Sequence, residues 1–200
     1  MHWSRRQMMT AVAGAGGLAA LGRLAWPGGA TAAAPELGDG GLYIQPWFLD
    51  SFLELGDDLE DAAGEGKRFV VLWEQKGCIY CEKLHLINFV EPEIRDYMSA
   101  NFSVLQLDIH GSRKVTDLDG EVLEERALAR KQGIRYTPTI QFFVETREDA
   151  EAALAGGQPT EVLRLPGYLA PDDFLNVLRY VAERAYEREG IESFIDRGER

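Results

Sequence analysis

The apolar positions of this chain change period several times, and each change predicts an element. From Pro46, the residues Phe48, Phe52, Leu55, Leu59 and Ala62 recur at helical spacing until Gly64 and Gly66 end the pattern. Phe69-Val70-Val71-Leu72-Trp73 is a short continuous apolar run and reads as a buried strand. Residues 81–89 return to the helical period with Leu84, Ile87 and Val90 on one side, and Pro92 breaks or kinks that helix. Residues 93–101 continue it with Ile94, Tyr97 and Met98 inward, and residues 102–109 alternate like a strand. Residues 115–123 predict a small hairpin turning at Asp119-Gly120. A helix over 124–132 stopped by Gly133 and a strand over 140–145 follow. Then come a polar loop over 146–160, a strand over 161–165 and a break at Gly167. The last helix opens at Pro171 with Asp172 and Asp173 in its first turn, and buries Phe174, Leu178, Val181 and Ala185. After Gly190 the chain reads as a loose tail.

The only two cysteines fall at the junction between the apolar strand and the helix that follows it, as Cys78-Ile79-Tyr80-Cys81. A thiol at a helix start sits against unpaired N–H groups and the positive end of the dipole, which favour the thiolate. The thiolate is the form that attacks a disulfide, and a second sulfur one turn on can close the ring. Scattered structural cysteines would rarely adopt this spacing. Structural zinc needs four ligands, and His85 with two thiolates supplies only three. Haem attachment needs a His directly after the second Cys, where Glu82 stands. A static disulfide over so small a loop would constrain the unfolded chain little. Dithiol–disulfide exchange is the reading that remains, with no metal and no cofactor beyond the Cys78–Cys81 disulfide itself.

The length suits one domain with appendages, and 46% apolar residues suffice for a core. With 33 acidic against 21 basic residues the formal net charge is -12, which disfavours nucleic acid and anionic membrane surfaces. Residues 1–33 read as a cleaved export signal. Arg5-Arg6 precede an Ala/Gly-rich apolar stretch that ends in small residues with A-x-A character, and the stretch is too short and glycine-rich to span a bilayer. The pattern resembles a twin-arginine signal, with Met8-Met9 where Phe-Leu is usual; a Sec signal or a retained anchor is the alternative. Export would place the protein in the periplasm, an oxidising compartment, without stable membrane insertion after cleavage. Residues 34–45 then form a flexible lead-in, 46–189 the folded domain and 190–200 the tail.

A second element bears on the cysteines. Thr137-Pro138 stands just before the strand over 140–145, where a cis bond would leave an open backbone edge beside the sulfurs for an incoming peptide. A trans proline opening an edge strand is the plain alternative. Together with Cys78 and Cys81, the segment Gly133-Ile134-x-x-Thr137-Pro138-Thr139 and the closing strand–strand–helix resemble the thioredoxin fold, an α/β fold with a central mixed sheet flanked by helices. The hairpin would be an insertion in it. More closely, the chain is similar to the exported thioredoxins of the sulfur-oxidation (Sox) system, the SoxW type. That likeness rests on residues 74–85, on Val115-Thr116-Asp117-x-Asp119-Gly120-Glu121-Val122-Leu123 and on Thr137-Pro138-Thr139-Ile140.

The resemblance implies a periplasmic thiol–disulfide oxidoreductase that reduces protein disulfides in thiosulfate oxidation. It implies cysteine-containing exported clients, Sox carrier proteins among them, and electrons from a membrane thiol transporter of the CcdA/SoxV type. A periplasmic oxidase or isomerase, or a two-thiolate metal carrier, are the alternatives. Thr137, Pro138, Ile79 and Tyr80 are the candidate substrate contacts. The buried carboxylate of common thioredoxin has Leu72 at its position, while Glu74 lies two residues nearer the cysteines on the same strand face. Glu74 is either the proton acceptor for Cys81 or a solvated strand end. Lys76 favours the Cys78 thiolate, whereas Glu74 and Glu82 oppose it. The hairpin is either a solvated insertion or a recognition element outside the core.

Overall fold

A computed structural model describes residues 35–198. The export-signal reading, from the paired arginines to the A-x-A segment, lies outside the described residues. No helix among them is long and apolar enough to cross a membrane.

The sheet at the centre is built from four strands in the order β4-β3-β7-β8. These are β3 (Arg68–Glu74), β4 (Phe102–Asp108), β7 (Thr139–Phe143) and β8 (Glu161–Pro166). β3 runs parallel to β4 and antiparallel to β7, and β7 runs antiparallel to β8. Every residue of β3 is buried, as expected for a central strand covered on both faces. Its alternation divides the interior in two. Val70 and Leu72 face a core with Leu84, Phe89, Ile94, Met98, Phe174 and Leu178. Phe69, Val71 and Trp73 face a second core with Leu55, Leu59, Leu128 and Phe143.

The first core is covered by α3 (Pro92–Asn101) and α6 (Pro171–Ala182), and the second by α1 (Leu55–Gly64), α4 (Glu125–Lys131) and α5 (Arg147–Ala155). The redox helix, α2 (Ile79–Lys83), runs on into a π turn over Leu84–Asn88, closed by the Phe89 N–H donating to the Leu84 carbonyl. The fold is the expected α/β arrangement, a mixed sheet flanked by helices. The expected hairpin insertion is present as β5 (Lys114–Thr116) and β6 (Val122–Glu124).

Several sequence expectations are corrected. The first helix begins at Leu55 and not at Pro46, because Leu53 takes a positive φ of 65° and its carbonyl accepts from Thr116 N–H. Phe52, expected on the buried stripe, is 98% exposed. On the redox helix, Ile87 and Val90 face solvent, and the inward side is Leu84, His85, Asn88 and Phe89. Two polar side chains take that side because each has a partner inside: His85 meets Glu74, and Asn88 donates to the Leu169 carbonyl. Pro92 opens α3 at its first turn, where its missing N–H costs nothing. The polar loop over 146–160 contains α5, started by a capping box between Thr146 and Asp149.

The hairpin is not separable from the core, since Val115 is fully buried in the second cluster and Asp117 is 5% exposed. The tail is not loose. Ile191–Gly198 forms α7, and Phe194 buries its ring against Tyr180 at 5.4 Å between centroids. The lead-in is ordered as well, with β1 (Glu36–Leu37) and β2 (Tyr43–Ile44) paired antiparallel.

Candidate functional site

The site forms where β3 ends. Gln75 and Lys76 leave the strand, and Gly77 turns the chain at φ 75°, a conformation that favours glycine over any side chain. Cys78 follows as the N-cap of α2, its sulfur accepting from the Cys81 N–H at 3.1 Å. The two cysteines form a disulfide with their Cα atoms 5.2 Å apart. Their environments differ. Cys78 is half-buried at the mouth of the site, and Cys81 is 5% exposed, one turn inside. An N–H pointed at the Cys78 sulfur stabilises a negative charge there, so the geometry makes Cys78 the sulfur suited to attack.

The Thr137-Pro138 bond is cis, as the sequence reading expects, and lies across from this sulfur. Thr137 donates its hydroxyl to Cys78 Sγ at 3.3 Å, and the Thr137 carbonyl oxygen stands 3.4 Å from the same atom. Beyond it, the Pro138 carbonyl accepts from Gly167 N–H, which ties the segment to the end of β8. Ile79 and Tyr80 project outward beside Cys78 and are 71% and 56% exposed. Tyr80 stacks on Tyr168 with centroids 6.2 Å apart, and Lys83 lies 5.5 Å over the Tyr80 ring. Tyr136, next to Thr137 in the chain, is also exposed and was not singled out from sequence. Of the four candidate substrate contacts, Thr137 touches the Cys78 sulfur directly.

Behind the disulfide lies a cavity of about 270 Å³, bounded by both cysteines, Glu74, Lys76, Leu42 and Tyr43. Glu74 is 1% exposed and is not a solvated strand end. The period of two in β3 sets it on the same face as Leu72, toward the redox helix. Its carboxylate lies 3.0 and 3.2 Å from His85 Nε2 and accepts from the Gln106 amide, which also donates to the Tyr43 carbonyl at 2.7 Å. His85 is wholly buried, and its other ring nitrogen, Nδ1, meets Gln45 at 3.1 Å. Sequence reasoning brings His85 to the site only as a third metal ligand beside the two thiolates, and it places neither Gln106 nor Gln45 there. Both ring nitrogens of His85, the third ligand a two-thiolate metal carrier would use, are thus engaged. Among the described residues, no group of three or more His, Cys, Asp or Glu is placed to hold a metal ion.

A mixed sheet with a Cys-x-x-Cys disulfide at the end of its central strand and a cis proline facing it is the arrangement of a thiol–disulfide oxidoreductase of the thioredoxin type. The chain belongs to the thioredoxin-like domain family, whose model matches residues 55–182. Among solved structures it is similar to a thioredoxin-fold protein from Helicobacter pylori, with 22% identity and a TM-score of 0.51 over 70% of this chain and 91% of that one. A thioredoxin from Thermus thermophilus matches with 23% identity and a TM-score of 0.47, over 64% of this chain and 83% of that one. The C-terminal domain of DsbD from Neisseria meningitidis, in its reduced form, matches with 18% identity and a TM-score of 0.41, over 62% and 91%. At these identities the likeness is one of fold. No curated protein matches the sequence.

Proposed function

We propose that this protein is an exported, periplasmic thiol–disulfide oxidoreductase that reduces disulfides in other exported proteins, those of sulfur oxidation first among them. The observation that carries the chemistry is the asymmetry of the two sulfurs, one half-exposed at a helix start with N–H and O–H donors on it, the other buried and lining the same cavity as the Glu74 carboxylate. In the reduced protein the Cys78 thiolate attacks a client disulfide. One client sulfur leaves as a thiolate and takes a proton from water, and the other stays bonded to Cys78. Cys81 then gives its proton to Glu74 and attacks Cys78 Sγ. The Cys78–client bond breaks, the Cys78–Cys81 disulfide forms, and two electrons have passed to the client. The exposed side chains of Ile79, Tyr80 and Tyr136, with the backbone at Thr137, offer an extended peptide both apolar contact and a strand edge.

The client class and the electron source, a membrane thiol transporter of the CcdA/SoxV type, rest on the resemblance of residues 74–85 and 115–123 to the SoxW type. Export by the twin-arginine route rests on Arg5-Arg6 and the apolar stretch after them. The test is a trap. Cys81→Ala, expressed in full length and recovered from the periplasmic fraction, should hold clients as mixed disulfides that reductant releases. Cys78→Ala should hold far fewer. Trapped sulfur-oxidation carriers support the reductant reading. Unfolded secretory chains would turn it to an oxidase or isomerase, and absence of the protein from the periplasm would overturn the export reading.

A further inference from the structure

The polar cluster behind the disulfide has a donor order that reaches out to the N-terminal segment. Gln45, just after β2 and 4% exposed, sets its amide nitrogen 3.1 Å from His85 Nδ1. An amide nitrogen only donates, so Nδ1 accepts. In this hydrogen-bond assignment the ring carries its single hydrogen on Nε2, and that N–H points at the Glu74 carboxylate. Gln106 supplies a second donor from β4, held in turn by the Tyr43 carbonyl. The Tyr43 ring lies 5.7 Å from the imidazole and the Phe48 ring 5.6 Å, so His85 is clamped by the segment before α1.

From this geometry we infer that His85 is a positioning residue for the second half of the exchange. Its Nδ1 accepts from Gln45, and its Nε2–H holds the Glu74 carboxylate in place at the cavity that Cys81 also lines. The inference rests on the reading of Glu74 as proton acceptor. When the Cys81 thiol passes its proton to one Glu74 oxygen and its sulfur attacks Cys78 Sγ, His85 gives up no proton of its own. Its Nε2–H stays on the other oxygen, so the carboxyl keeps its orientation while its charge changes. Residues 36–45 thereby become part of the redox site, because removing Gln45 frees the ring to adopt the other tautomer and turn its N–H away from Glu74.

The first measurement uses the reduced wild-type chain. Nitrogen-15 NMR of the His85 ring should find Nε2 protonated and Nδ1 bare; a hydrogen on Nδ1, alone or with one on Nε2, overturns the inference. The second separates the half-reactions with a model disulfide peptide. The attack of Cys78 is followed in a Cys81→Ala background, and release from a preformed mixed disulfide in the two-cysteine chain. His85→Leu should slow release about tenfold, the scale of one lost hydrogen bond to a charged group, and leave attack unchanged. His85→Gln, which returns an N–H near the position of Nε2, should restore release to within about threefold of wild type. Equal slowing of both steps, or a Gln variant as slow as the Leu one, overturns the positioning role. Glu74→Gln distinguishes the two readings. Release slowed about a hundredfold keeps Glu74 as the acceptor, and with wild-type release in His85→Leu only the His85 inference falls. Wild-type release in Glu74→Gln sinks both.

Discussion

Glu74 and Asp58 are both buried carboxylates, and they are kept inside by different means. Glu74 has a His and a Gln aimed at it, whereas Asp58 has one hydroxyl, Ser51, donating at 2.6 Å. Burial raises the Asp58 pKa above its ordinary 3.8, and the Ser51 hydrogen bond only partly offsets it. The folded state therefore holds a proton that the unfolded chain has already released. The stability this adds is present at low pH and is lost as pH rises through the range above 3.8. Asp58→Asn keeps the acceptor for Ser51 and cannot ionise. Its melting temperature relative to wild type should climb between about pH 3 and about pH 7, and a constant offset would contradict this account. At this scale the sequence was partly legible. The period of two in β3 put Glu74 on the face toward the redox helix. His85 was legible only as a third metal ligand beside the thiolates; its pairing with Glu74 and Gln45 was not, because those partners lie 11 and 40 residues away.

Among the elements, those with strong apolar patterns were readable: β3, β4, α6 and the helix stopped by Gly133. The failures have local causes. α5 buries only Ala150, so it carries almost no amphipathic signal, and what starts it is the reciprocal pair of Thr146 and Asp149. Its capping box, T-x-x-D, was visible in the letters, though with Asp in place of the usual Glu or Gln. Thr146→Ala should cost about 1 kcal/mol. A melting curve should fall by roughly 2–4 °C with disulfide exchange unchanged; no change would mean that packing alone holds α5. The first helix was over-extended because Phe48 and Phe52 happen to continue its period. The positive φ at Leu53, which ends that register, follows from a contact with β5 that no local pattern encodes.

On the scale of the whole molecule, both ends of the described chain turn out to belong to the domain. The N-terminal segment closes the cavity behind the sulfurs, and α7 folds back on α6 through Phe194 and Tyr180. The Tyr180 hydroxyl donates to the Glu189 carbonyl at 2.7 Å and fixes the turn between the two helices. Short segments beyond a glycine read as appendages because they are too brief to show a period, yet a single buried aromatic is enough to anchor them. Phe194→Ala should lower stability by about 2–3 kcal/mol, seen as a lower urea midpoint at the same slope. Exchange activity at low denaturant should not change; a loss of activity would mean that α7 supports the site as well as the core.

The central claim is that Cys78 is the attacking sulfur and Cys81 the sheltered one. It is tested most directly by brief alkylation of the reduced protein with iodoacetamide at about pH 7, followed by peptide mass mapping. The half-exposed N-cap position of Cys78 and the burial of Cys81 predict rapid modification at Cys78, with Cys81 labelled only after unfolding. Equal labelling of both sulfurs in the folded protein, or faster labelling of Cys81, would contradict the account.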